Sequence, residues 1–298
     1  MNNFTISVPA SSANIGPGFD SLGLALDLYL TLTVSENDTW KIYQQSLLLP
    51  ACNNYTDHFI YQIAHQTAAR YGKELPTCCL TIDSSIPLAR GLGSSASAII
   101  AGIELANQSC QLHLSKEEKL QLATEQEGHP DNVGAALFGG LVITNYNDDT
   151  SVDICRIDQL NIDMIIFIPQ DELKTEAARN VLPDTYSRAH AAQASSIGNV
   201  FIAALMNENF SMAGKMMEKD IFHEPYRAEL IPNYAPIKQK AKELGAYGTV
   251  ISGAGPTMIS FFPRGTGTQS KQKLQAAFPS YNIQQRKMDS TGLRVEKK

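Results

Sequence analysis

Two glycines separated by one residue, followed by two hydroxyls and an apolar helical run, could cradle a phosphate. They lie in Pro87-Leu88-Ala89-Arg90-Gly91-Leu92-Gly93-Ser94-Ser95-Ala96-Ser97. Glycine accepts positive φ and has no Cβ to hold an anion away from the backbone. The residues after the loop carry Ile99, Ile103 and Ala106 at helical spacing, which predicts a helix over 95–108. The first turn of a helix leaves N–H groups unpaired at the positive end of its dipole, and phosphate is favoured there. The same glycines and serines could also do no more than cap a helix, and the segment by itself leaves both readings open.

The type of loop can be narrowed. A Walker loop needs a lysine, and none is present in the segment. Gly91, Gly93 and Ala96 fit the loose dinucleotide fingerprint. That fingerprint wants a strand immediately before it and an acidic residue about 20 positions later, at the end of the next strand. Glu117 and Glu118 instead fall in a predicted helix, and no strand is expected after the loop until residue 140. Other residues able to do chemistry are spread along the chain. They are Asn14 and Asp20, Glu125 and Glu127, His129, Asp131 and Asn132, and the arginines Arg179 and Arg227. Each has an ordinary alternative. Asn14 and Asp20 could be turn residues, Glu125 and Glu127 a solvated helix face, His129 a packed loop residue, and Asp131 a helix N-cap.

The elements that must position these residues follow from periodicity. Strands are predicted at 4–8, 28–34, 78–82, 139–146 (after a turn), 162–168, 248–252 and 257–262. Helices are predicted at 58–71, from Ser115 to Gly128 with capping-box spacing to Glu118, and at 187–207, 210–219 and 233–244. The polar stretch 145–153 is expected to be a hairpin turn near a domain boundary. Strands and helices without regular alternation indicate α+β rather than a doubly wound sheet. The length of 298 residues suggests two domains, divided as 1–155 and 156–298.

Bulk properties exclude some partners. A net charge of −6 disfavours nucleic acid, which needs a basic face. No apolar run approaches the roughly 20 residues that span a bilayer, so no membrane partner is expected. The start Met1-Asn2-Asn3-Phe4 does not read as a signal peptide, which makes the cytoplasm the expected location. Five cysteines, an odd number with no CxxC pair, are expected to be reduced core thiols.

Three motifs in order carry a resemblance. Pro87 to Ala96 resembles the phosphate loop of the GHMP kinases, which phosphorylate small alcohols. Pro9-Ala-Ser-Ser-Ala-Asn14-Ile-Gly16-Pro-Gly18-Phe-Asp20 resembles the family's N-terminal motif, and Ser252-Gly253-Ala254-Gly255-Pro256-Thr257 its C-terminal glycine motif. Further details are similar to the branch of the family whose acceptor is L-homoserine, on the route to threonine. These are the form of residues 9–20, Glu127-Gly128-His129-Pro130-Asp131-Asn132-Val133, Thr175-x-x-x-Arg179, and Pro225-Tyr226-Arg227.

The resemblance implies an N-terminal domain like domain 2 of ribosomal protein S5, with a left-handed βαβ crossover, and a ferredoxin-like C-terminal domain. It implies ATP on the loop residues Pro87 to Ser97, Mg2+ on Ser95 and Glu125, and a homodimer. Arg179 and Arg227 would take the acceptor carboxylate, whose geometry matches a guanidinium fork. Asn14, Asp20, His129 and Asp131 would serve its ammonium and hydroxyl. Asp20, Asn132 and Glu125 would form the catalytic set. Mevalonate kinase-like relatives place an Asp base near Asn132. An amide cannot take that role, so positioning and electrostatics would lead the transfer, with Asp20 or Asp131 as a weak base. Residues 53–60 are expected to contribute to the adenine site, with His58 where the family suggests Asn, and no base contact is assigned.

Overall fold

A computed structural model describes residues 3–146 and 151–297. It contains two sheets with the helices packed on them. The first sheet grows from one long hairpin. Strand β1 (Phe4–Asn14) pairs antiparallel with β2 (Gly18–Glu36), and the turn between them holds Ile15, Gly16 and Pro17. Leu28, Leu30, Leu32 and Val34 bury one face of β2, while Tyr29, Thr31 and Thr33 stay half-buried on the other. Both strands run beyond the predicted 4–8 and 28–34. The extensions contain Ser11, Ser12 and Asn14, polar residues that are nonetheless buried. Their hydroxyls and amide are satisfied at the site described below, which periodicity cannot anticipate.

The remaining strands of this sheet are β3 (Lys41–Gln44), β4 (Cys78–Ser84), β5 (Leu141–Asn145), β6 (Asp153–Ile157) and β11 (Arg294–Lys297). The main path is β11-β1-β2-β4-β3, and β5 pairs with β2 and with β6. β3 and β4 are parallel and are joined through helix α1 (Phe59–Arg70). β5 and β6 form the expected hairpin pairing, and residues 147–150 of its turn lie outside the described residues. β6 continues to Ile157, so the expected division between 155 and 156 falls inside a strand of the first sheet. The last strand, β11, also returns to that sheet.

Helices α2 (Ser94–Ser109), α3 (Lys116–Glu127) and α4 (Pro130–Phe138) pack with α1 to close the core of this part. The capping box of Ser115 and Glu118 is present at α3, and Gly128 ends that helix at φ 88°. His129 is the N-cap residue of α4 and Pro130 its first residue, so Asp131 sits inside the first turn rather than capping it.

The second sheet has the order β10-β7-β9-β8, all antiparallel. It comprises β7 (Ile162–Ile168), β8 (Gly248–Ile251), β9 (Met258–Pro263) and β10 (Asn282–Arg286). Helices α5 (Thr175–Asn180), α6 (Arg188–Met206), α7 (Phe210–Met217), α8 (Glu224–Arg227) and α9 (Tyr234–Glu243) lie between β7 and β8, and α10 (Gly267–Ala277) between β9 and β10. A β-α-β-β-α-β succession with strand order four-one-three-two is the ferredoxin-like arrangement.

Candidate active site

The glycine loop sits where the two sheets meet. Gly91 and Gly93 have φ of 70° and 66°. A Cβ on Gly91 would lie 2.2 Å from the Ser252 carbonyl oxygen, and one on Gly93 would lie 2.1 Å from Ser11 Oγ. Both glycines are therefore demanded by close approach of the protein to itself. The first main-chain bond of α2 runs from the Ser97 N–H to Gly93 O (2.9 Å). The N–H groups of Ser94, Ser95 and Ala96 precede it and have no intrahelical acceptor. Ala89, Arg90, Gly91, Gly93, Ser94 and Ser95 line the cleft.

The rest of the loop faces elsewhere. Pro87, Leu92 and Ala96 are buried, and Leu88 faces an adjoining cavity. Ser97 is buried with its hydroxyl donated to Pro9 O (2.9 Å), so neither its N–H nor its side chain is left for a phosphate. Arg90 donates to the carbonyls of Leu88 (2.7 Å), Pro169 (3.2 Å) and Gln170 (2.5 Å), which tethers the loop to the end of β7.

The two carboxylates at the end of α3 part ways. Glu127 turns into the cleft and accepts the Ser95 hydroxyl at 2.9 Å. Burial lifts its carboxyl above the ordinary range, and Asp131 adds to this, while His129, the Ser95 hydroxyl and Arg179 oppose it. Glu125 points away. It pairs with Arg70 at 2.5 Å on the outer surface, and that hydrogen bond holds its carboxyl below the ordinary range. The expected pairing of Ser95 with Glu125 is thus replaced in the structure by Ser95 with Glu127. A half-buried carboxylate next to a hydroxyl, at the positive end of a helix, is a hard-oxygen donor set suited to Mg2+.

The hairpin turn supplies the opposite wall. Asn14 and Asp20 sit at φ 72° and 52°, values that Asn and Asp tolerate better than most residues. Asn14 Nδ2 donates to Gly253 O (2.9 Å), and Asn14 Oδ1 accepts the Asp20 N–H (3.1 Å). Asp20 in turn accepts both terminal nitrogens of Arg179, at 2.9 and 3.3 Å. Arg227 lies behind, only 2% exposed, with Nε–H donated to Ala178 O. Burial, with the charge of Arg179 adding, lowers its pKa to about 10, so it stays a cation at neutral pH.

His129, Asp131 and Asn132 complete the cleft. His129 Nδ1 donates to Asp131 Oδ1 at 2.5 Å, and the same oxygen accepts the Asn132 N–H at 2.7 Å. Burial pulls the His129 pKa down. Asp131, Glu127 and Asp20 outweigh it, and the net shift is upward. Asn132 Oδ1 accepts the Ser11 hydroxyl at 2.8 Å. Ligand atoms of Asp20, His129 and Asp131 lie within 4.8 Å of one another. Asn14, Asp20, His129, Asp131, Asn132, Arg179 and Arg227 therefore share one cleft with the glycine loop.

Comparison with known proteins fits this geometry. Residues 58–140 match the GHMP kinases N-terminal domain and residues 201–280 the GHMP kinases C-terminal domain. A homoserine kinase from Oceanobacillus iheyensis is 48% identical, over 99% of this chain and 100% of its own. The chain belongs to the GHMP kinases. A solved chain from Listeria monocytogenes is 40% identical with a TM-score of 0.84, covering 99% of this chain and all of its own. The crystal structure of homoserine kinase from Cytophaga hutchinsonii gives a TM-score of 0.85 at 26% identity, over 99% and 98% of the two chains.

With the family established, several residues stand out that the sequence left unassigned. Glu127 was legible as half of an ambiguous pair and as the first residue of the motif that runs to Val133, without a role. Ser11 and Ser252 lie in the N-terminal and C-terminal motifs but were given no role, although Ser252 Oγ donates to Gly91 O (2.6 Å) and so clamps the loop from the second sheet. A neighbouring cavity of 530 Å³ opens beside Ser94 and Ser95. Its walls are mainly apolar, among them Leu30, Ile60, Ile82 and Ile86, and segment 50–60 contributes Cys52, Asn53 and His58. Burial there lowers the His58 pKa, which keeps the imidazole neutral.

Proposed function

We propose that this GHMP kinase transfers the γ-phosphoryl group of ATP to the hydroxyl of L-homoserine, giving O-phospho-L-homoserine on the way to threonine. One observation supports it: the loop residues Gly91, Gly93, Ser94 and Ser95 and the guanidinium-bearing Arg179 and Arg227 line a single cleft. The helix end at Ser94–Ala96 takes the triphosphate, with the adenine in the adjoining apolar cavity. Ser95 and Glu127 hold Mg2+, which when bound offsets charge on the phosphate oxygens. Arg179 and Arg227 take the acceptor carboxylate, and Asp20 with Asp131 balances its ammonium. Asn132, fixed by Ser11, orients the acceptor and cannot itself accept a proton. Catalysis then rests on alignment and charge complementarity. The same proposal places the chain in the cytoplasm as a homodimer; no helix among the described residues is long and apolar enough to cross a membrane.

The test is coupled ADP release against a panel of amino alcohols. L-Homoserine should be turned over best. An alcohol lacking the carboxylate should be poor, because the arginines would stay unpaired. Equal use of such an alcohol would remove the amino acid from the proposal.

A further inference from the structure

His223 belongs to none of the motifs above, yet it is fully buried directly behind the acceptor site. Its Nε2 lies 3.0 Å from the Gly16 carbonyl oxygen, at the tip of the β1–β2 hairpin. A carbonyl only accepts, so Nε2 carries the proton and Nδ1 presents a lone pair. Arg227 Nη1 lies 3.2 Å from that Nδ1.

The five guanidinium hydrogens of Arg227 can now be assigned. Nε–H goes to Ala178 O (3.0 Å), and the two hydrogens of Nη1 go to Gly253 O (3.2 Å) and His223 Nδ1 (3.2 Å). The two on Nη2 remain, and Arg227 contributes to the cleft wall. The ring of Phe19 stacks on His223 at 5.5 Å and lies beneath both guanidiniums, 5.4 Å from Arg227 and 5.9 Å from Arg179. One short turn, Gly16 to Asp20, thus touches both arginines: Asp20 pairs with Arg179, and Gly16 acts on Arg227 through His223.

Resting on the homoserine reading above, we propose that His223 is a positioning residue for the acceptor carboxylate. Its tautomer, set by Gly16, supplies the lone pair that turns Arg227 so that Nη2 faces the substrate. The effect must appear in acceptor binding and not in ATP binding. Burial lowers the His223 pKa and agrees with a neutral ring.

Two substitutions separate the two ring nitrogens. His223→Gln can keep a donor for Gly16 but loses the acceptor for Arg227. His223→Asn places an amide oxygen near the position of Nδ1. Loss of a hydrogen bond to a charged group predicts a homoserine KM raised about tenfold or more in His223→Gln, with the ATP KM within about twofold. His223→Asn should recover most of that loss. Because KM does not depend on the folded fraction, partial unfolding of either variant does not blur the result. In an Arg227→Leu background, His223→Gln should add little. Overturning results are an unchanged homoserine KM in His223→Gln, equal defects in the two variants, or additivity with Arg227→Leu. Absence of homoserine turnover by the unaltered enzyme would sink the functional reading and this proposal with it. Normal turnover with an insensitive KM would sink this proposal alone.

Discussion

The side of the cleft proposed to take phosphate and the side proposed to take the acceptor are built in different ways. The phosphate side is mostly local. One loop, the helix that follows it and one glutamate 32 residues on supply it, all from the first sheet and its helices. The acceptor side is assembled from distant pieces. Asp20 meets Arg179 across 159 residues, Asn14 meets Gly253 across 239, and His223 meets Gly16 across 207. A local site can be recognised from spacing alone, whereas a stitched site exists only once both sheets are in place. Substitutions of the phosphate-side glutamate should therefore act on turnover, and those of the acceptor-side arginines on homoserine binding.

The largest effect is expected at Glu127. Glu127→Gln removes the charge that would hold Mg2+, and turnover should fall by about a hundredfold or more, on the scale of losing a strong transition-state contact. Glu125→Gln breaks only a surface pair with Arg70 and should leave turnover within about twofold. Steady-state rates for both variants would reverse the assignment if Glu125 proved the more sensitive. Next in size are Arg179→Leu and Arg227→Leu. Each should raise the homoserine KM by about tenfold to a few hundredfold, with the ATP KM little changed. A rise in the ATP KM instead would erase the contrast between the two sides. Asn132→Ala should lower turnover by about tenfold, less than Glu127→Gln, because an orienting amide is removed and not a charge. A loss at Asn132 larger than that at Glu127 would show that the amide does more than orient.

The smallest effect concerns pH. Burial lowers the His223 pKa in the folded protein below its ordinary 6.5. Below pH 6.5 the unfolded chain then binds more protons than the folded one. Stability from this group is present above 6.5 and is lost as pH falls through the folded value. Thermal melts from pH 8 to pH 5 should decline, and His223→Asn, which cannot titrate, should decline less steeply. Parallel curves would assign the acid sensitivity to other groups.

The same contrast explains what the sequence revealed. Strands with clean alternation, such as 28–34, and helices with caps, such as α3, were legible because their signals are local. Glycines 91 and 93 were legible as a candidate phosphate loop, but the reason they must be glycine was not. Ser252 and Ser11, which crowd them, are 161 and 82 positions away from them along the chain. Glu125 and Glu127 differ by two residues in one helical turn, and their directions are set by packing against α1 and α2. Arg70 captures one and Ser95 the other, so no property of the α3 segment itself decides between them. Short elements without strong periodicity, such as β3, β11 and α5, exist because partners elsewhere complete them.

The return of the chain after β10 has a mechanical consequence. Between the two sheets the chain crosses once at residues 158–161 and again at 287. There the Lys287 N–H is bonded to Asp27 Oδ1, and Met288 bridges Leu26. The two links frame a shared core: Met164, Ile166, Val250 and Ile259 of the second sheet pack in one cluster with Leu24, Leu26 and Leu30 of the first, and Gly253 and Ser252 are bonded across to Asn14 and Gly91, so the two walls of the cleft are held in register as one packed body.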